Sequence, residues 1–126
     1  TQFRHLAAGT HSLRDLRQYP FVSLSEHTST YTFYQNLFLK HDLPFHVDIE
    51  AATMDQVLPM VEHNLGIGFF SETLAAPAIE QGLVFPIAVR EAIPERAVCL
   101  IEDTTHPQSI ALRAFKKLLC AEKTAE

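Results

Sequence analysis

Cysteine is scarce. The 126 residues contain only Cys99 and Cys120, too few and too far apart for a disulfide framework, and two free thiols fit a reducing compartment. No CxxC pair and no HExxH spacing occurs, so neither common sequence signature of a zinc site is present, and no metal or other cofactor is expected. No apolar run approaches the roughly 20 residues of a membrane span. Four glycines and seven prolines are too few for a collagen-like or low-complexity chain, and 47% hydrophobic residues are too many for a disordered one. Basic residues are short as well, 10 Lys+Arg against 15 Asp+Glu for a net charge of -5. Between positions 41 and 89 there is no Lys or Arg, and this stretch carries seven Asp or Glu. Phosphate contacts supply most of the affinity of a nucleic-acid binder, so this chain by itself is not expected to grip duplex DNA.

What is present is enough for one domain that buries about two-thirds of its unfolded surface. The chain opens on Thr1 in mid-pattern, which reads as a fragment or a processed chain. Residues 10–19 read as a short helix capped by Ser12 and stopped by Pro20. Residues 21–24 read as a strand and 30–40 as a helix, with Phe33 and Leu37 at helical spacing. Phe45, Val47 and Ile49 alternate with His46, Asp48 and Glu50, the pattern of a strand over 45–50. Met54, Val57, Leu58, Val61 and Leu65 then form one apolar helical stripe. Thr53 and Gln56 have the spacing of a capping box, Gly66 suits the stop, and Pro59 predicts a kink or a loosened turn.

Beyond this helix, residues 67–70 read as a buried strand and 71–81 as a helix interrupted by Pro77 and ended by Gly82. Residues 83–89 read as a strand, and 97–101 (AVCLI) as a strand buried on both faces. A last helix over 109–120 is expected to bury Ala111, Phe115, Leu118 and Leu119 and to turn Arg113, Lys116 and Lys117 to water. Strands alternating with helices predict an α/β fold with a mostly parallel sheet flanked by helices.

Chemistry-bearing motifs are few. The seven histidines, at 5, 11, 27, 41, 46, 63 and 106, are scattered and read as surface or capping residues. Gly66-Ile67-Gly68 lacks the third glycine of a dinucleotide fingerprint and precedes a strand rather than a helix. There is no phosphate-binding P-loop and no GxSxG elbow, and Ser25, Glu26 and His27 are neighbours in sequence without triad geometry, so no catalytic residues are assigned. Hydroxyl groups at strand-to-helix junctions remain: Ser25, Thr28 and Ser29 after the first strand, Thr53 after the second, Ser71 after the third. In a parallel α/β sheet such loops share the carboxyl edge, where ligands bind and helix amides favour anions. Each residue read singly is an N-cap; read together they mark a binding edge. Ser25, His27, Thr28 and Thr53 are the expected ligand contacts, with Phe70 as an apolar wall, and the ligand chemistry that suits them is a carboxylate or an oxyanion. Glu26 would repel such an anion and could instead fix an amine.

Residues 5–16 (HLAAGTHSLRDL) resemble the stretch that opens the second effector subdomain of LysR-type transcriptional regulators, with Leu6 where that family has Pro. Residues 20–24 (PFVSL) look like the strand that follows, and 53–70 (TMDQVLPMVEHNLGIGFF) are similar to the block of polar helix start, apolar stripe, Gly-Ile-Gly and apolar pair. Residues 74–86 and Phe115, Leu118 and Leu119 fit the remainder. The resemblance implies a type 2 periplasmic-binding-protein-like α/β fold and a non-enzymatic, cytoplasmic effector sensor. It implies that residues 1–95 form the second effector-binding subdomain and 96–126 the returning strand and helix of the first. Contact with DNA would run through an N-terminal domain that is not in this sequence, and association into homo-oligomers, a dimer first, is expected. One lobe of a periplasmic solute-binding protein is the alternative that shares the sheet pattern.

Overall fold

A computed structural model describes residues 2–97 and 99–122, and these fall into two compact units, Thr1–Pro94 and Glu95–Glu126. In the first unit a 3-10 turn over Arg4–Ala7 leads to β1 (Thr10–His11), α1 (Leu13–Leu16), β2 (Val22–Leu24), α2 (Ser29–Leu39), β3 (Ile49–Ala51), α3 (Met54–Glu62), α4 (Glu72–Glu80) and β4 (Ala88–Val89). The second unit contains α5 (Ile110–Glu122). The expected α/β order is present, and both ladders are parallel, but they are short and separate: β1 pairs β4, and β2 pairs β3.

β2 is the centre of the first unit. All three of its residues are buried, and cores form on both of its sides. Phe21, just before it, joins Leu13, Leu16, Tyr34, Leu37, Phe38, Phe45 and Ile67. Within this cluster Tyr34 stacks on Phe69 at 4.2 Å between ring centroids, and Phe21 meets Phe38 edge-on at 5.8 Å. Val22 and Leu24 join Ala51 and Val57 in a second cluster. A strand alternates its side chains, so one short run supplies both cores. Each fully buried large apolar side chain here is worth about 1.5–3 kcal/mol.

Several local expectations change. The strand foreseen over 45–50 begins only at Ile49, because the Asp48 carboxylate takes the Phe21 amide at 2.8 Å where a ladder carbonyl would otherwise bond it. Thr53 is the N-cap of α3, but its hydroxyl makes no capping bond. Gln56 instead accepts from the Ala52 amide at 3.0 Å, one residue earlier than a capping box requires. Pro59 and Pro77 both lie inside continuous helices. Residue 66 does not stop α3: the helix ends at Glu62, and Asn64 takes the left-handed turn at φ 62°. Gly66 serves a different constraint. A Cβ there would lie 2.3 Å from the Pro20 carbonyl oxygen. The chain must pass this close because Ile67 and residues 20–22 exchange two backbone hydrogen bonds, Ile67 N to Pro20 O at 2.9 Å and Val22 N to Ile67 O at 2.8 Å. That single parallel bridge, Phe21 to Ile67, is all that forms of the strand foreseen over 67–70. Of the strand foreseen over 83–89, only Ala88–Val89 is regular.

The second unit departs most from the sequence pattern. Ala97, Cys99, Leu100 and Ile101 are exposed and form no strand; Val98 lies outside the described residues. Ile101 is 91% exposed, since no strand among the described residues pairs with this run. On α5, Ala111, Phe115, Leu118 and Leu119 are exposed rather than buried, because no described element of this unit covers their stripe. Lys116, expected in water, is half-buried. Its Nζ donates to both Glu102 carboxylate oxygens at 2.6 and 2.7 Å, and Gln108 Nε2 donates to the same group at 2.9 Å. No helix among the described residues is long and apolar enough to cross a membrane.

Gly66→Ala should destabilise the first unit by about 2–3 kcal/mol, an overpacking cost against backbone that cannot retreat. Urea denaturation checks it, and a change below 1 kcal/mol would contradict the close approach. In the second unit, Lys116 holds the Glu102 carboxyl below its ordinary 4.5, helped by Gln108 and opposed by desolvation. The folded value is depressed, so the stabilisation is complete above the ordinary value and is lost as pH falls through the lowered one. An NMR carboxyl titration should place the Glu102 midpoint below 4.5 in the native chain and return it toward that value in Lys116→Met.

Candidate functional site

β2 and β3 run parallel in the register Val22↔Ile49, Ser23↔Glu50, Leu24↔Ala51. Their carboxyl ends are therefore level, and the loops leaving them, 25–28 and 52–53, emerge side by side. Each loop enters a helix, so the N-termini of α2 and α3 open at one sheet edge. Residues 68–70 reach the same end, because Ile67 bridges Phe21 in parallel and the chain runs on beside β2.

All five residues expected at the edge lie on the segments that reach it, with different roles. Thr28 caps α2: its Oγ1 donates to the Ser25 carbonyl at 2.8 Å and accepts from the Tyr31 amide at 3.1 Å. That hydroxyl is committed to the fold. Ser25, half-buried, and Thr53, exposed, have hydroxyls that bond no other described residue, and they are the polar groups a ligand would find available. Phe70 is partly buried against Val22, Leu24, Ala51 and Val57. His27 stands apart. Its side chain is 88% exposed, with Nε2 4.0 Å from the Glu26 carboxylate, and nothing fixes its ring toward the edge. Asp55 lies in the first turn of α3, so a negative side chain already occupies one of the two helix N-termini.

The first unit also contains an apolar cleft of about 540 Å3. Phe21, Val57, Val61, Phe70, Phe85 and Ile87 form part of its wall, and Arg4 lines it with its guanidinium 5.0 Å from the centre of the Phe85 ring. Ser25, His27, Thr28 and Thr53 do not line this cleft. The sequence pattern assigns Phe85 and Ile87 to a strand; as irregular backbone they face the cleft instead. A run that is apolar but lacks an evident strand neighbour was the available signal. Among the described residues no group of three His, Cys, Asp or Glu side chains could hold a metal ion.

Parallel ladders, a buried central strand and two helix N-termini at one carboxyl edge define an open α/β domain. The model of the LysR substrate binding domain matches residues 2–123, and the chain belongs to that family. A type 2 periplasmic-binding-protein-like α/β fold follows from this membership. No curated protein and no solved structure matches the chain significantly.

The two threonines separate capping from ligand contact. Thr28→Ala should lower stability by about 1 kcal/mol, while Thr53→Ala, which loses no capping bond, should change it by less than about 0.5 kcal/mol. Paired urea denaturation curves decide it, and equal losses would contradict the hydroxyl assignments.

Proposed function

We propose that this chain is the effector-sensing part of a LysR-type transcriptional regulator. In this reading residues 1–95 are the second effector-binding subdomain, and 96–126 are the returning strand and helix of the first. A small molecule, a carboxylate or oxyanion, binds at the carboxyl edge of β2 and β3, and no covalent chemistry takes place there. Ser25 and Thr53 supply hydroxyls, Thr28 holds the helix N-terminus in place, and Phe70 supplies the apolar wall. His27, whose side chain is largely exposed beside Glu26, contributes a contact made once the ligand is bound. The observation that carries the reading is the level pairing Leu24↔Ala51, which puts both loops and both helix N-termini at one edge.

Sensing becomes regulation only if the ligand prefers one arrangement of the intact protein, since an equilibrium shifts by the difference in affinity and no more. The protein acts in the cytoplasm as a homo-oligomer, and grips DNA through a domain outside this sequence. The net charge of -5 supports that division of labour. Family membership supports the regulator over a solute-binding lobe.

The test is a thermal-shift screen of the protein against small mono- and dicarboxylates, phosphate and sulfate. At least one should raise Tm in a concentration-dependent way. Ser25→Ala and Thr53→Ala should each weaken that ligand roughly three- to tenfold, the worth of one hydrogen bond. A wild-type protein stabilised by none of these anions, or a shift unchanged in both variants, would overturn the placement.

A further inference from the structure

We propose that residues 90–91 form a strap that latches the end of the first unit onto β1 and α1, with Glu91 as its catch. The first unit ends at Pro94, so whatever holds residues 90–91 fixes the point at which the chain leaves it. Two bonds do so. The Arg90 amide donates to the His11 carbonyl at 2.8 Å, extending the β1–β4 pairing in which His11 lies opposite Val89. The Glu91 Oε2 then accepts the Leu13 amide at 2.9 Å, a partly buried bond across 78 positions of sequence.

The Leu13 amide is one of the orphan donors at the start of α1. The capping box around it is self-contained: Ser12 Oγ accepts the Asp15 amide and Asp15 Oδ2 accepts the Ser12 amide, so neither side chain serves Leu13. An ionised carboxylate on a helix-terminal amide is a charge-assisted bond, stronger than a neutral one. Past the catch, residues 92–95 make no hydrogen bond with another described residue. Within the first unit, the strap is the last hydrogen-bonded point among the described residues.

A latch must also be able to open, and His11 supplies the opposing force. Its Nε2 is buried and has no hydrogen-bond partner among the described residues. A buried unbonded polar atom favours any state in which water reaches it. Asp15, held below its ordinary value first by its bonds with Ser12 and then by Arg90 and His11, lies near both of these groups, so the ring, the strap and the cap share one neighbourhood. The closed state keeps the Glu91 and Arg90 bonds; the open state hydrates the ring. The strap is a bistable connection, and this inference does not depend on which ligand the sheet edge takes.

Limited trypsin digestion of the whole chain reads the latch directly, because Arg90 and Arg96 bracket the exit. In the native chain, cleavage after Arg96 should precede cleavage after Arg90. Glu91→Ala should speed cleavage after Arg90 about tenfold relative to Glu91→Gln, which keeps an acceptor oxygen. Both variants remove the acid beside the cleaved bond, so their difference isolates the latch from trypsin's own preference. The Leu13 amide should exchange its hydrogen faster in Glu91→Ala, and His11→Leu, which removes the orphan nitrogen, should slow cleavage after Arg90. Equal cleavage of the Ala and Gln variants with unchanged Leu13 exchange overturns the proposal. So does a matching rise in cleavage after Lys40, which would mean general loosening rather than release of a strap.

Discussion

The backbone of residues 20–24 is the element on which the rest of the first unit depends. It is bonded on both sides, to β3 through the ladder and to Ile67 through the single bridge. Both cores grow from its alternating side chains, one through Phe21 and the other through Val22 and Leu24. Close approach is the condition for this. Gly66 has no side chain, so residues 66–68 can lie against Pro20 and Val22, and the Asp48 carboxylate anchors the start of the strand by bonding the Phe21 amide.

That arrangement also creates the candidate site. Parallel pairing with level ends turns two strand-to-helix loops, distant in sequence, into neighbours. The loops are not equivalent once folded. At α2 the hydroxyl of Thr28 is spent on its own helix, and at α3 the cap is shifted by a residue, which leaves the Thr53 hydroxyl without a partner among the described residues. A residue that looks like a cap in sequence can thus be the one left open for a ligand, and the reverse holds for its counterpart.

The two units differ in how fully they satisfy their apolar side chains. Residues 2–94 bury Phe38, Leu13 and Val57 almost completely, whereas residues 99–122 expose Ile101, Ile110 and Phe115. In the second unit the visible organisation is polar: Glu102 gathers Lys116 and Gln108, and Asp103 accepts from the Thr105 amide and hydroxyl ahead of Pro107. Apolar periodicity on a helix records that the helix has a buried face in some context; it does not say that the same stretch of chain provides the cover.

The sequence by itself determined the α/β order, the helices α2, α3 and α4, the Ser12 cap, the Gly82 stop and the family, because local propensity and 3.6-residue periodicity act over a few neighbouring positions. It also placed Ser25, Thr28 and Thr53 at strand-to-helix junctions. Tertiary structure alone decided that strand 45–50 starts late, that 67–70 is one bridge, that 97–101 and the α5 stripe are exposed, and that the His27 side chain is turned largely to water. Those outcomes depend on partners far along the chain: the Phe21 amide for Asp48, the Pro20 carbonyl for Gly66, and a covering surface for Phe115. A pattern of side chains states what a segment needs, and only the fold states whether the partner is there.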